Sequence, residues 1–413
     1  MIVTMLSIGQ SDAFATYCSN KNIFISGYAG TGKSYLINKI YNHAQESGKK
    51  IQITAMTGCA AVLLQNAKTL HSWASIGLGN APIEKLIANI RKYNKTEHWT
   101  KTDILVIDEI SMMSKSLFEL IDAIAKKIRK NNKPFGGIQL ICSGDFHQLP
   151  PIEDEFCFES PLWNTTFDKQ FVFKENFRQK GDLEYQKVLN EVREGNISPE
   201  SCKLLLECTK KEIKDEIKPT VLYPTKRFAD QTNQFEIITL EEEQHVYNKT
   251  FSPDVTSGPI KDELDKQKGM FEDKLILKVG CQVMCIANIS QDEGIVNGSQ
   301  GIITNFINGY PEVKFKNVVR VIQPHKWLNE KYEEYGVCQI PLILSWAITI
   351  HKSQGITLDM CKLNIGGSVF EYGQAYVALS RLTSREGLYI TSLDISKIRA
   401  NPKVIQFYKN INI

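Results

Sequence analysis

The chain has 413 residues, 42% of them hydrophobic and 23% charged, which describes an ordinary soluble protein with room for two to four domains. A net charge of +3 rules out a globally basic face, so any nucleic-acid surface is a local groove. Met1 to Ile8 lacks a basic leader region, no apolar run approaches the roughly 18 residues of a spanning helix, and the ten cysteines form no Cys-x-x-Cys pair; signal peptide, transmembrane helix and zinc site are therefore not expected, and a reduced, intracellular setting is.

In chain order, the apolar run Ile23-Phe24-Ile25 predicts a strand, and directly after it comes Gly27-Tyr28-Ala29-Gly30-Thr31-Gly32-Lys33-Ser34. The glycines let the backbone aim its N–H groups at phosphate oxygens, and the helix predicted from Lys33 to Gln45 adds the positive end of its dipole. Lys33 is expected to reach the β- and γ-phosphates of a nucleoside triphosphate, and Ser34 to bind Mg²⁺. Further strands are predicted at Ile51 to Thr54, Ile104 to Ile107, Ile138 to Ser143 and Phe171 to Phe173, alternating with helical patterns. That alternation is α/β, a parallel sheet covered by helices with its chemistry at the carboxyl ends of the strands.

The pattern breaks between His71 and Thr102, which reads as an insertion. Ser116 with Glu119 spells a capping box for a helix whose apolar stripe is Leu117, Leu120, Ile121, Ile124 and Ile128. The first domain is expected to end near Glu175, and a second α/β unit to begin near Thr220. Residues 240 to 274 are strongly charged and read as a solvated loop or edge region. From Gly301 to Ile322 every signal is β, with an Asn308-Gly309 turn, so a small barrel inserted in the second unit is expected. Cys281 and Cys285 lie in an apolar run and read as core.

Leu105-Val106-Ile107-Asp108-Glu109 is an apolar strand ending in two carboxylates: Asp108 is expected to hold Mg²⁺ and Glu109 to activate the attacking water, which favours hydrolysis over phosphoryl transfer to a metabolite. Gly144-Asp145-Phe146-His147-Gln148-Leu149-Pro150-Pro151 follows the next strand and places Gln148 to sense the γ-phosphate. Arginines that stabilise the transition state should come from across a cleft, and Arg178 and Arg381 are the candidates. Three stretches carry hydroxyls, imidazoles and an aromatic suited to a sugar-phosphate track: Thr54 to Ala60 with Thr57, Thr69 to Trp73 with His71, and Thr349 to Gly355 with His351 and Lys352.

Taken together, these stretches resemble the motif series of superfamily 1 helicases, most closely the petite-integration-frequency family, related to the RecD-like enzymes. Leu6-Ser7-Ile8-Gly9-Gln10 resembles the adenine-recognition segment, although Gly9 stands where an acidic residue is common. The run from Asp108 through Lys133-Pro134-Phe135-Gly136-Gly137-Ile138-Gln139-Leu140 to Phe146 is similar to the family's own signature. Asn176-Phe177-Arg178-Gln179, Val296-Asn297-Gly298-Ser299-Gln300-Gly301, Ser345 to Gly355 and Tyr376-Val377-Ala378-Leu379-Ser380-Arg381 continue the series.

The resemblance implies two RecA-like domains in tandem: motor domain 1A over 1–72 and 102–175 with a wedge insertion at 73–101, and motor domain 2A over 176–298 and 342–413 with an SH3-like insertion at 299–341. It implies ATP and Mg²⁺ as cofactors, with the nucleotide held by Gln10, Gly27, Gly30, Thr31, Gly32, Lys33, Ser34, Asp108 and Gly355. Lys33, Glu109, Gln148, Arg178 and Arg381 would be catalytic, and Thr57, His71, Phe146, Thr349, His351 and Lys352 would touch DNA. The expected activity is an ATP-dependent 5′ to 3′ DNA helicase of replication, repair or recombination; the alternative is a DNA-stimulated ATPase that remodels or binds nucleic acid without processive unwinding. Expected partners are single-stranded DNA and 5′-tailed duplex, with RNA–DNA hybrids and G-quadruplexes as further candidates. No membrane partner is expected, and the expected protein is an intracellular monomer of cytoplasm or nucleus, of viral, phage, bacterial or other origin.

Overall fold

Strands covered on both faces read as unbroken apolar runs, and the first sheet follows that rule. In the computed structural model, which describes residues 6–411 except 63, 153, 180, 214–216, 268–270, 291, 330, 331, 333, 367, 368 and 370, this sheet holds β1 (Ile23–Gly27), β2 (Ile51–Ala55), β3 (Lys68–Thr69), β4 (Ile104–Asp108), β5 (Gln139–Gly144) and β6 (Lys169–Phe173). All pairings are parallel, in the order β3-β2-β4-β5-β1-β6. The five predicted strands are present, and only the very short β3 went unforeseen.

Successive side chains of a strand take opposite faces. Ile23, Ile25, Ile104, Val106 and Ile141 share a core with Tyr17 of α1 (Ile8–Cys18) and with Leu36, Ile37 and Ile40 of α2 (Lys33–Glu46). Phe24, Leu105, Ile107, Leu140 and Cys142 share another with Phe118, Ile121 and Ile124 of α3 (Lys115–Arg129). The predicted capping box is corrected: Ser114 caps α3, its Oγ accepting from Leu117 N at 3.1 Å. Ser116 donates instead to Asp154, and Glu119 accepts from Ser160 Oγ at 2.7 Å. Within 73–101, helices Ile83–Lys92 and Thr96–Lys101 join the same core, where the rings of Trp73 and Trp99 pack 4.7 Å apart at a tilt of 40°.

The compact unit built on this sheet runs to Asn196 and takes in Glu371–Tyr376 and the segment from Ile398 onward. It therefore includes α4 (Leu183–Glu194) and α5 (Pro402–Ile411), which shifts the expected boundary at 175 and removes the C-terminal segment from the second domain. The cause is aromatic packing: Phe407 stacks on Phe158 at 4.2 Å and meets Phe146 edge-on at 5.2 Å, a long-range contact that local patterns do not encode.

The second unit comprises Ile197–Phe370 and Val377–Lys397. Its parallel sheet contains β7 (Thr220–Tyr223), β8 (Ala347–Thr349), β9 (Cys361–Ile365) and β10 (Leu388–Leu393), in the order β8-β7-β9-β10. Between Tyr223 and Ala347 the chain makes antiparallel sheets around Val283, Cys285, Ile303, Val313 and Leu342. These begin at His245–Asn248, well before 299, so the charged stretch read as loop contains strands and the helix Pro259–Lys266. Asn308 and Gly309, with φ of 52° and 80°, make the predicted turn between Gln300–Ile307 and Tyr310–Phe315. Among the described residues no helix is long and apolar enough to cross a membrane.

Candidate active site

Strand register brings three loops to one edge of the first sheet. Ser26 of β1 lies opposite Gly144 of β5, and Ile107 of β4 opposite Cys142, so the chain leaves β1, β4 and β5 at nearly one level. After β1, Gly30 and Gly32 adopt φ of 82° and 76°, the left-handed region that favours glycine. A Cβ on Gly30 would sit 2.5 Å from Arg178 Cβ, and one on Gly32 would sit 2.6 Å from Gln10 Nε2. Thr31 Oγ1 donates within the loop to Tyr28 O at 2.9 Å. Lys33 Nζ donates to Gly27 O at 2.9 Å and Tyr28 O at 3.1 Å. Burial pulls its pKa down, while the carboxylates of Asp145, Glu109 and Asp108 pull it up. Ser34 is exposed in the first turn of α2.

Gln10 is buried and ties the segment before α1 to this loop. Its Oε1 accepts from Ser7 N at 3.0 Å, closing a capping box with Ser7 Oγ, and its Nε2 donates to Thr31 O at 3.2 Å.

At the end of β4, Asp108 is 7% exposed, and its carboxyl is pushed up to about 7 by burial and by the neighbouring Glu109. Glu109 sits at φ 54° and ψ 41°, a strained conformation for a residue with a Cβ, and turns the chain into the short helix Ile110–Met112. Gly144 lets the segment after β5 approach that helix: a Cβ there would lie 2.9 Å from Ile110 N. Gln148 is buried, its N–H donating to Asp145 O at 2.8 Å.

The strongest electrostatic feature is one that sequence reasoning missed. Asp145 is fully buried, and its carboxylate receives Arg193 at two points, Nε to Oδ2 and Nη2 to Oδ1, each at 2.9 Å. It also accepts from His147 N at 3.1 Å and from the hydroxyls of Tyr376 and Tyr408 at 3.3 Å each. Burial alone would raise its pKa, but the guanidinium outweighs burial and holds it at about 2. Arg193 lies over the rings of Tyr28 at 4.4 Å and Tyr408 at 4.9 Å. A carboxylate closing an apolar strand was the visible signal, since a buried one requires a cation; the partner was invisible because Arg193 is 48 residues away.

Arg178 is on the same unit as the phosphate loop, which corrects the expectation that it comes from another domain. Phe177 N donates to Gly30 O at 2.8 Å and Asn176 Nδ2 to Ala29 O at 3.0 Å, so residues 176–178 cradle the loop. Phe146 is also corrected. At 1% exposure it is packed among Phe24, Phe156, Phe158, Trp163 and Phe407 and has no face for a base. Trp73, the aromatic of the proposed track, is likewise core. Thr57 and His71 are half-buried: Thr57 Oγ1 accepts from Ala60 N at 3.2 Å, and burial lowers the His71 pKa.

In the second unit, Thr349 caps the short helix Ile350–Ser353, its Oγ1 accepting from Lys352 N at 3.1 Å, with His351 exposed and Gly355 in the turn that follows. Arg381 is 2% exposed, donating to Val377 O at 2.8 Å, Ser353 O at 3.2 Å and Ser380 Oγ at 2.8 Å.

Known proteins similar to this chain fall in one family. The sequence model of the PIF1-like helicase matches residues 6–203, and that of the DNA helicase Pif1 2B domain matches residues 263–306. The ATP-dependent DNA helicase PIF1 of Xenopus laevis is 36% identical over 415 residues, 98% of this chain but 64% of the relative, so the chain spans less than two thirds of that protein's length. The crystal structure of Pif1 helicase from Candida albicans is 36% identical with a TM-score of 0.82, covering 100% of both chains. Pif1 helicase from Bacteroides, in complex with ADP-AlF3 and ssDNA, is 26% identical with a TM-score of 0.69, covering 99% of this chain and 98% of that one.

Proposed function

The chain belongs to the PIF1-like helicase family, and from that premise we propose that it is an ATP-driven DNA helicase moving 5′ to 3′ along single-stranded DNA and separating duplex ahead of it. One observation carries the hydrolytic part of the reading: the Lys33 ammonium lies in the field of Asp145, Glu109 and Asp108, where the loops after β1, β4 and β5 meet. The nucleotide analogue and single strand of the Bacteroides complex support the choice of substrates.

In this reading the phosphate loop binds ATP through its backbone N–H groups, and Lys33 exchanges the carbonyls of Gly27 and Tyr28 for phosphate oxygens. Mg²⁺ fits the donors present, an exposed Ser34 hydroxyl and a buried Asp108 carboxyl whose charged form a cation would favour, and it would screen the triphosphate charge. Glu109 orients and deprotonates the attacking water, its strained backbone setting the carboxylate beyond the strand end. Gln148 senses the γ-phosphate. Arg178 steadies the loop and the charge that develops on the transferring phosphoryl group. For Arg381, buried in the second unit, the same role rests on the family motif. Gln10 holds the loop to the helix that precedes it and contributes to adenine binding.

Thr57, His71, Thr349, His351 and Lys352 remain the candidate contacts to the strand, and 73–101 the wedge. RNA–DNA hybrids and G-quadruplexes are further proposed substrates, acted on by a monomer. Two assays test the reading. ATP hydrolysis should rise steeply on adding single-stranded DNA, and an indifferent rate would sink it. Duplex with a 5′ tail should be unwound in preference to its 3′-tailed counterpart; the reverse preference would refute the polarity.

A further inference from the structure

Two tyrosines meet on one carboxylate beside the hydrolytic loops. Tyr408 sits on α5, outside every motif that carries the family resemblance, and Tyr376 in the segment Glu371–Tyr376 of the same unit. Granted that this site hydrolyses ATP, we propose that Tyr408 and Tyr376 are positioning residues that clamp the Gln148 segment and the phosphate loop to a common anchor, Asp145.

Proton counting fixes the direction of each bond. The Tyr408 hydroxyl has one proton, which goes to Asp145 Oδ1, so its oxygen accepts from Phe146 N at 3.0 Å and from Ser26 Oγ at 2.5 Å. Tyr376 repeats the arrangement, accepting from Ala29 N at 3.0 Å while donating to Asp145 Oδ2. Phe146 lies two residues before Gln148, Ser26 is next to last in β1, and Ala29 lies in the middle of the phosphate loop. Asp145 and Ser26 are fully buried, and Tyr376, Arg193 and Tyr408 are 3%, 5% and 6% exposed. Away from water such bonds are strong and directional, and Arg193 pins the carboxylate that receives them. The two hydroxyls differ in what they hold: Tyr408 holds the segment that senses the γ-phosphate, and Tyr376 holds the loop that binds the nucleotide.

The substitutions Tyr408→Phe and Tyr376→Phe remove each hydroxyl and keep each ring, including the stack of Tyr408 on His147 at 5.0 Å. Steady-state ATP hydrolysis with saturating single-stranded DNA, direct nucleotide binding and thermal unfolding should be measured on the full chain, with rates expressed per nucleotide-binding molecule. Tyr408→Phe should lower kcat on the order of tenfold with KM for ATP nearly unchanged, because a small misplacement at the reacting centre costs rate rather than binding. Tyr376→Phe should weaken nucleotide binding and raise KM. Should Tyr408→Phe fail to fold, Ser26→Ala withdraws the second donor to the same hydroxyl without touching Asp145, and the same fall in kcat is expected. Variants that keep wild-type kcat and KM, or lose activity only as folded protein is lost, would overturn the positioning role. A wild-type chain that does not hydrolyse ATP would strike down the functional reading and the positioning role together, whereas an active wild type with unchanged variants strikes down the latter alone.

Discussion

Asp108 ends β4 and Asp145 directly follows the neighbouring β5, yet the two are driven in opposite directions. Asp145 has a buried guanidinium on both oxygens and stays ionised; Asp108 is pushed up to about 7 by burial and by Glu109 beside it. The consequence for Asp108 depends on sign. Its folded-state pKa exceeds the ordinary value of 3.8, so between about 4 and 7 the folded chain keeps a proton that the unfolded chain releases. Stability from this group is therefore full at low pH and is lost as pH rises toward 7. Asp108→Asn removes the burden of a buried charge, so without metal its thermal midpoint should exceed that of wild type at pH 8, with the gap narrowing at pH 5. Thermal unfolding at the two pH values checks this, and a gap that does not change with pH would show that Asp108 is not the titrating group. Asp145 could be flagged from sequence as a carboxylate at a strand end, and so could Asp108. Their contrasting states could not, because Arg193 and Tyr408 lie 48 and 263 residues from Asp145.

At the scale of elements, buried parallel strands were the most legible feature. Leu105-Val106-Ile107 and Leu140-Ile141-Cys142 have no polar alternation because helices cover both faces, and that leaves few other readings. Helix ends were less legible. Both Ser114 and Ser116 precede the stripe of α3, and the spacing from Ser116 to Glu119 favoured the wrong one; the choice is made by Asp154 and Ser160, which engage Ser116 and Glu119 from elsewhere. Ser114→Ala should therefore cost about 1 kcal/mol of stability and Ser116→Ala distinctly less, read from denaturant unfolding. The far end of α3 explains the family signature physically. Phe135, Gly136 and Gly137 are all left-handed, held by Asp122 Oδ1 accepting from Phe135 N at 2.8 Å and by Arg129 Nε donating to Gly136 O at 2.8 Å. Arg129 Nη1 also donates to Trp99 O at 2.6 Å, so one side chain joins the signature to the helix of the 73–101 region. Phe146 shows the limit at this scale. An aromatic beside Asp145 looks the same in sequence whether it meets a base or, as here, five other rings.

For the whole molecule, the motif order along the chain identified the family, but the partition into units followed other rules. The chain leaves the first unit after Asn196, returns for Glu371–Tyr376, leaves again and comes back at Ile398. Arg381 lies five residues beyond Tyr376 and is buried in the second unit against Ser353 of the His351 segment. In a motor, such a residue should matter for movement more than for ATP capture. Arg381→Ala is accordingly expected to retain ATP binding, measured by direct titration, while losing unwinding of a 5′-tailed duplex; a variant that unwinds at the wild-type rate would remove Arg381 from the machinery.

The return of the chain to its first unit also sets the timing of its birth. Domains made early in synthesis generally fold as soon as they emerge. Here the first 196 residues would emerge with the phosphate loop and all six strands but without Phe407 and Tyr408, which fill out the aromatic core and brace Ser26 and Phe146. A ribosome-bound intermediate would therefore carry β1 and the segment leading to Gln148 without their brace until residues 398–411 had been made. On the proposed reading, ATP turnover by an unfinished chain would be slowed, because the segment leading to Gln148 waits for Tyr408.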